Sequence, residues 1–279
     1  MPRIITKVSV IIPTYNEQRD ISACLSSLLA QDYPNFEIIV VDDGSLDSTL
    51  SHIQKFPVKI VKQSHLGAGA ARNLGAKHAH GQILVFVDAD MTFVPSFLHS
   101  LVRPIIDQKT IGTFSKDELV SNPDNLWSRC WSIAKGAPPG KLHPSNYPDT
   151  QPVFRAILKS EFDRVGGFDP IGYDDDWTLS SKLGTVATAA PNAHFYHRNP
   201  DSLLEVWHQA RWTAKRAYKL RALGKIITLI RTSLPVSLIT GIVTSISIGL
   251  PAFVYFKLLY DTAIFKSVLF SFISTNHYK

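Results

Sequence analysis

Two groups of carboxylates stand where this chain could hold a cation or move a proton. Asp88 and Asp90 close the apolar run ILVFVDAD, residues 83–90, and Asp174, Asp175 and Asp176 come just before Trp177. In an extended chain Asp88 and Asp90 point to the same side. Like charges that close raise each other's pKa unless a cation sits between them. Mg²⁺ and Mn²⁺ prefer oxygen ligands and often take one or two carboxylates together with substrate phosphates. The pair is therefore expected to hold a divalent cation against a diphosphate; a solvated turn with an Asp cap is the plainer alternative. Acids at a helix N-terminus are favourable on dipole grounds alone. Three in a row exceed that need, and one of them, held in a cleft, can act as a general base.

Other residues narrow the chemistry. In GAGAAR, residues 67–72, Arg72 stands where a dinucleotide fingerprint has its third glycine, and the chain has no GK[ST] phosphate loop. Gly67 and Gly69 still permit a tight helix entry. Arg72 then faces a nucleotide or phosphate, or else caps Asp43. Cys24 and Cys130 lie far apart in no CxxC pattern, so neither a zinc site nor a disulfide framework is expected. MPRIITKVSVIIPTYNE lacks the apolar run and cleavage site of a secretion signal.

Elements that position these groups are legible in the first hundred residues. VSVIIP (8–13), FEIIVVDDGS (36–45), VKIVKQ (58–63) and QILVFVDAD (82–90) read as strands. Residues 17–30, 47–54 and 69–80 read as helices between them. Strand–helix alternation implies right-handed crossovers and a mostly parallel sheet covered on both faces. In such a sheet ligands bind beyond the carboxyl ends of the strands. Four of those ends carry polar sets: Pro13-Thr14-Tyr15-Asn16-Glu17, Asp42-Asp43-Gly44-Ser45, Ser64 through Gly69, and Asp88-Ala89-Asp90. The middle, about 104–165, reads as a helix, an irregular proline-rich segment and a strand near 153–158.

The C-terminal part differs in composition. Residues 203–223 read as one basic helix, and 232–256 carry no charge. That length is enough to cross a bilayer, and Lys225 and Arg231 just before it would place that side in the cytoplasm. LLYDTAIFKSVLFSFIS (258–274) reads as a poor second span or an interfacial helix. The organisation expected is a catalytic domain over 1–200, a basic helical segment over 201–231 and a membrane-associated segment over 232–279. With 45% hydrophobic residues among 279, a large core is available. The net charge of +6 permits anionic partners. The basic residues gather beside the apolar tail, which favours lipid headgroups over nucleic acid.

Taken together, VSVIIPTYNE, EIIVVDDGSLDST, GAGAARNLGA, ILVFVDAD, GGFD and YDDDWTLS resemble the family 2 glycosyltransferases and appear in that order over about residues 7–183. The resemblance implies an α/β fold of the GT-A type that binds nucleotide-diphosphate sugars. It implies that Pro13, Tyr15 and Glu17 line the nucleoside pocket, that Asp43 bonds the base and that Arg72 borders it. Asp88 would approach the ribose or metal, and Asp90 would bind Mg²⁺ or Mn²⁺ on the diphosphate. Asp176 would deprotonate the acceptor hydroxyl beside Asp175, which replaces the usual Glu; Asp174 leaves a register one residue earlier open. His197 falls where related enzymes can carry a third metal ligand; a packed or solvent-facing His is the plainer alternative, and His194 nearby leaves the assignment open. WHQARW (207–212) departs from the QxxRW pattern of processive synthases, since His208 stands where Gln is required. It reads instead as a helix with Trp207 and Trp212 at a membrane interface.

The function this implies is metal-dependent, inverting transfer of a sugar to a hydroxyl of a lipid-linked or glycan acceptor, at the cytoplasmic side of the cell membrane. A polyprenyl-phosphate acceptor is the nearest alternative, and a non-catalytic membrane scaffold is the alternative of another class. A nucleotidyltransferase lacks support, because no Gly-rich signature with a following Lys opens the chain.

Overall fold

The computed structural model describes residues 5–172, 174–216 and 218–273. The first elements are β1 (Val8–Thr14), α1 (Ile21–Leu29), β2 (Phe36–Asp42), α2 (Thr49–Ile53), β3 (Lys59–Lys62), α3 (Ala68–Lys77) and β4 (Ile83–Phe86). They follow the periodicity of the sequence closely. β1 shows why its run is continuously apolar: Val8, Val10 and Ile12 enter one core with α1, while Ile11 enters another with Ile39, Val41 and the α3 alanines Ala71 and Ala76. A strand covered on both faces has no polar side to alternate with.

The chain continues through β5 (Met91–Phe93), α4 (Phe97–Ile106), β6 (Gly112–Phe114), β7 (Glu118–Val120), α5 (Leu126–Ala134), β8 (Thr150–Gln151), β9 (Ala156–Leu158), α6 (Lys159–Arg164), α7 (Asp175–Leu183), β10 (Ala187–Ala189) and β11 (Phe195–His197). One sheet has the order β3-β2-β1-β4-β9-β6-β10-β8. Its first four strands are parallel. β9 then enters antiparallel between β4 and β6, and β8 closes the far edge antiparallel to β10. The central sheet is therefore mixed, with β8 and β9 running against the other six strands. β8 and β9 are reached through the irregular stretch after α5, not through a helical crossover, so nothing forces β9 to run with β4. Apolar runs in a sequence carry no information about strand direction.

A second sheet, β5-β11-β7, sits apart from the first in strand order. It also corrects the expected extended geometry of Asp88 and Asp90. β4 ends at Phe86, and Asp88-Ala89-Asp90 forms a turn in which Met91 N donates to Asp88 O at 3.3 Å. β5 then pairs antiparallel with β11, with Met91 opposite His197. The turn sends the two carboxylates to different partners.

Cα packing divides the chain into two compact units, one comprising Met1–Leu119 and Asn146–His197, the other Val120–Ser145 and Arg198–Lys279. The second contains α5, α8 (Leu203–Thr213), α9 (Arg221–Arg231), α10 (Leu234–Ile248) and α11 (Ala252–Ile273). Its core is Cys130, Trp131, Val206, Phe253 and Phe256. Two expectations from sequence change here. The basic helix is two helices, α8 and α9, separated by residues 214–220. The uncharged run 232–256 is not one span: α10 stops at Gly249, whose φ of +66° places it in the left-handed region. Gly249 N donates to Ile246 O and Leu250 N to Ser245 O, and Pro251 precedes α11. Glycine past a helix end followed by proline before the next helix start is a helix–turn–helix signal. No single helix among the described residues is long and apolar enough to cross a membrane; α9 and α10 pass that test only as a pair bent by 60°.

Candidate active site

Loops at the carboxyl ends of β1, β2 and β3 are tied into one cluster. Asn16 N donates to Ser45 Oγ at 3.1 Å, and Leu46 N returns a bond to Asn16 Oδ1 at 2.8 Å. Glu17 N donates to Thr49 Oγ1 at 2.7 Å. Tyr15 stacks on His65 with ring centroids 3.9 Å apart. The buried Asp43 accepts from Gln63 Nε2 at 2.6 Å, Leu66 N at 2.8 Å and Gly67 N at 3.0 Å, and pairs with His65 Nδ1 at 3.0 Å. Tyr15, Glu17 and Asp43 thus belong to one cluster with His65, from the polar set after β3, and with Gln63, which the sequence did not single out; Pro13 lies beside them in β1, opposite Val41. Gln63 sits in no recognisable motif; β3's position beside β2 brings it there.

Arg72 is the hub of a second cluster. From the first half of α3 its Nη2 donates to Asp88 Oδ1 at 2.8 Å, and its Nη1 donates to Asp176 Oδ1 at 2.6 Å and Asp175 Oδ1 at 3.3 Å. The alternative partner Asp43 is not used. Burial alone would lower the Arg72 pKa, but the charges of Asp176, Asp88 and Asp175 outweigh it and hold it above its ordinary value. α7 is brought to Arg72 by a clasp: Asn73 Nδ2 donates to Phe168 O at 2.8 Å and Phe168 N to Asn73 Oδ1 at 2.9 Å. That clasp gives the GGFD stretch its role. Gly69 allows the close approach of α3 to α7, because a Cβ there would lie 2.6 Å from Asp175 Oδ2.

Asp88 has a further partner that sequence reasoning did not find. Arg155 Nη1 donates to Asp88 Oδ2 at 3.0 Å, so each Asp88 oxygen serves a guanidinium. Burial works against the charged form, yet Arg155 and Arg72 hold the Asp88 carboxyl well below the usual range. Asp175 behaves in the opposite way. Its burial pushes the carboxyl up to about 7, with Arg72 opposing and the neighbouring Asp176 adding to the rise.

The shift of Asp175 has a measurable consequence. Its folded pKa lies above the unfolded value of about 3.9. The stability linked to its protonated form is therefore full below about pH 4 and lost as pH rises through 7. Asp175→Asn removes that ionisation. The melting temperature of the variant relative to the parent should climb steadily between about pH 4 and 7.5. A difference that stays level across the window rules out the raised pKa.

The small sheet assembles a third group. His197, last residue of β11, places Nε2 2.9 Å from Asp90 Oδ2, just before β5, and Nδ1 2.8 Å from Glu118 Oε1, the first residue of β7. Burial opposes its charge, but Asp90 and Glu118 raise the imidazole well above its ordinary pKa. Freed of its extra proton, the imidazole with the Asp90 carboxylate would be a donor pair that suits Mn²⁺ better than Mg²⁺, with Glu118 holding the ring from behind. Among the described residues no group of three or more His, Cys, Asp or Glu is arranged to hold a metal alone. A cation at Asp90 and His197 would thus need phosphate oxygens to complete its shell. Glu118 was not singled out from sequence, since a lone Glu in a three-residue strand carries no signal.

Comparison with known proteins bears on family and fold. The glycosyl transferase family 2 model matches residues 9–166. An uncharacterised glycosyltransferase of Haemophilus influenzae is 35% identical over 212 residues, covering 74% of this chain and 64% of its own. The Escherichia coli protein WfgD, a UDP-Glc:alpha-D-GlcNAc-diphosphoundecaprenol beta-1,3-glucosyltransferase, is 32% identical over 119 residues, 41% of this chain and 47% of that protein. This chain thus spans about half or less of the length of several curated relatives it matches. Among solved structures, the mannosyltransferase PcManGT from Pyrobaculum calidifontis, in complex with GDP-Man and Mn²⁺, superposes with a TM-score of 0.62 at 21% identity, covering 97% of this chain and 89% of that one. Staphylococcus aureus TarS 1–349 in complex with UDP-GlcNAc gives 0.59 at 18% identity, covering 96% and 91%. At these identities the likeness establishes a shared GT-A-like fold.

Proposed function

The chain belongs to glycosyl transferase family 2, and from that premise we propose that it transfers a sugar from a nucleotide-diphosphate donor to a hydroxyl group with inversion. The observation that supports this reading is the bridge from Arg72, on the helix that follows the β3 loop, to Asp88 and to the partly exposed carboxylate of Asp176, the base of this reading. The Asp176 side chain is one-third exposed, at 34%, with Oδ1 on Arg72. It takes the proton of the acceptor hydroxyl as that oxygen attacks the anomeric carbon. The carbon–oxygen bond to the diphosphate breaks, and the nucleoside diphosphate leaves with the electron pair. Arg72 holds Asp176 in place, and Asp175, whose burial favours its protonated form, limits the negative charge crowded there.

Asp90 and His197 would hold the divalent cation, oriented through Glu118. A bound cation supplies charge neutralisation on the departing diphosphate. Asp88 serves this reading best as the anchor of Arg72 and Arg155 at the ribose or phosphate side. The acceptor proposed is a lipid-linked or glycan hydroxyl, reached at the cytoplasmic face of the cell membrane. WfgD, named for a diphosphoundecaprenol-linked acceptor, supports that class.

The deciding experiment is donor binding. UDP-, GDP- and dTDP-sugars are titrated into the protein by calorimetry with Mn²⁺ or Mg²⁺. One donor class should bind in a metal-dependent way, and Asp90→Ala should weaken it by at least about tenfold. Absence of metal-dependent binding to every donor in folded protein would favour the non-catalytic scaffold.

A further inference from the structure

The second unit carries a surface built inside-out for water. α10 buries Ser237, Gly241 and Ser245, the small and polar stripe, against its neighbours. Its large apolar side chains point outward: Leu234 is 66% exposed, Ile239 and Val243 62%, and Ile246 77%. A helix packed for aqueous solvent does the reverse. α9 has no buried residue at all, and Leu223, Ile226, Ile227 and Ile230 are exposed on it. Contiguous exposed apolar surface of this kind marks an interaction face.

Charge identifies what covers it. Between Glu205 and Asp261 the chain has no acidic residue, while Arg216, Lys219, Arg221, Lys225 and Arg231 fall within that interval. A two-fold pairing of this face with a second copy would set these like charges against each other. An anionic lipid surface neutralises them. We propose that α9 and α10 lie in the plane of an anionic phospholipid bilayer, with their leucine, isoleucine and valine side chains in the acyl boundary and the flanking Lys and Arg at the headgroups. This specifies the membrane partner of the reading given above and gives it a geometry.

The in-plane arrangement follows from length and shape. α10 has 15 residues, roughly 22 Å at 1.5 Å per residue, short of the roughly 30 Å of a hydrocarbon core. The 60° bend between α9 and α10 prevents them from adding their lengths in a straight span. α11 carries Lys257, Asp261 and Lys266, and Asp261 is buried on Ser237 Oγ at 2.6 Å and Lys257 Nζ at 2.7 Å. Amphipathic helices with basic polar faces bind interfaces in this way.

The test uses the full chain and sedimentation with vesicles of phosphatidylcholine alone or mixed with phosphatidylglycerol. The protein should bind mixed vesicles, weaken about fivefold for each basic residue removed in Lys225→Gln and Arg231→Gln, and be released by alkaline carbonate. The double variants Ile226→Glu/Ile230→Glu and Val243→Glu/Ile246→Glu should each lose binding by on the order of tenfold or more. Their metal-dependent donor binding and melting temperature should stay unchanged, which shows that the fold survives. Equal binding by the double variants, indifference to phosphatidylglycerol, retention through carbonate, or a dimer that those variants dissociate would each overturn the proposal. Vesicle binding without donor binding would sink the glycosyltransfer reading and leave this surface standing; donor binding without vesicle binding would do the opposite.

Discussion

Asp176→Asn should lower kcat by about 10²–10⁴-fold, the range for loss of a positioned general base, while donor affinity changes little. Asn keeps the shape of the side chain and can still accept a hydrogen bond from Arg72, so the cluster at α3 and α7 stays assembled. What it loses is the ability to take the acceptor proton. The loss should appear in transfer to the acceptor and not in calorimetric binding of the nucleotide sugar. Asp175→Asn serves as the comparison, because Asp175 is buried and makes its bonds within the cluster. If Asp175→Asn proves the more damaging to kcat, the register of base and neighbour is exchanged. A fall in kcat under about tenfold for Asp176→Asn would remove Asp176 as the base.

Arg72→Met should cost about 3–5 kcal/mol of stability, the range for breaking a buried ion pair by removing one partner. Arg72 is only 6% exposed and is bonded to Asp88, Asp175 and Asp176. Methionine fills much of the volume but takes the guanidinium from Asp175 and Asp176 and leaves Asp88 with Arg155. The cost is largest at neutral pH, where ionisation is most penalised, and shrinks as acid protonates the carboxylates. Denaturant unfolding at pH 7 and pH 4.5 measures both. Arg72→Lys should recover part of the stability but not the transfer rate, because one ammonium cannot reproduce the forked geometry that joins Asp88 to Asp176. A loss under about 1 kcal/mol for Arg72→Met would show that the cluster is solvated and that Arg72 is not its organiser.

Several parts of this molecule were readable from local sequence. β1 to β4 and the helices between them fall within a few residues of their apolar runs, because each element's burial is written in its own side chains. The polar strand ends were also visible, since motifs such as PTYNE and VDDGS sit directly after those runs. The family followed from their order. The acids at 174–176 were legible as a group because they lie together in the chain.

What the tertiary structure decided lies between segments distant in sequence. Arg72 meets Asp175 and Asp176 across 103 and 104 positions, and Arg155 meets Asp88 across 67. Asp90, Glu118 and His197 meet only because three strands of three residues each form a sheet, and strands so short leave almost no periodic signal. A local pattern also misled where backbone geometry overrode it: Asp88 and Asp90 diverge because the strand ends at Phe86. The apolar run 232–256 was read as one span because hydropathy sums composition, whereas the Gly249–Pro251 turn and the outward face of α10 depend on which side of each helix finds a partner. By itself the sequence determined the family's α/β scaffold and its rim of polar residues. Which carboxylate faces a guanidinium, which faces an imidazole and which apolar side chains remain uncovered were settled by long-range packing, since charge partners and buried faces are properties of neighbours in space.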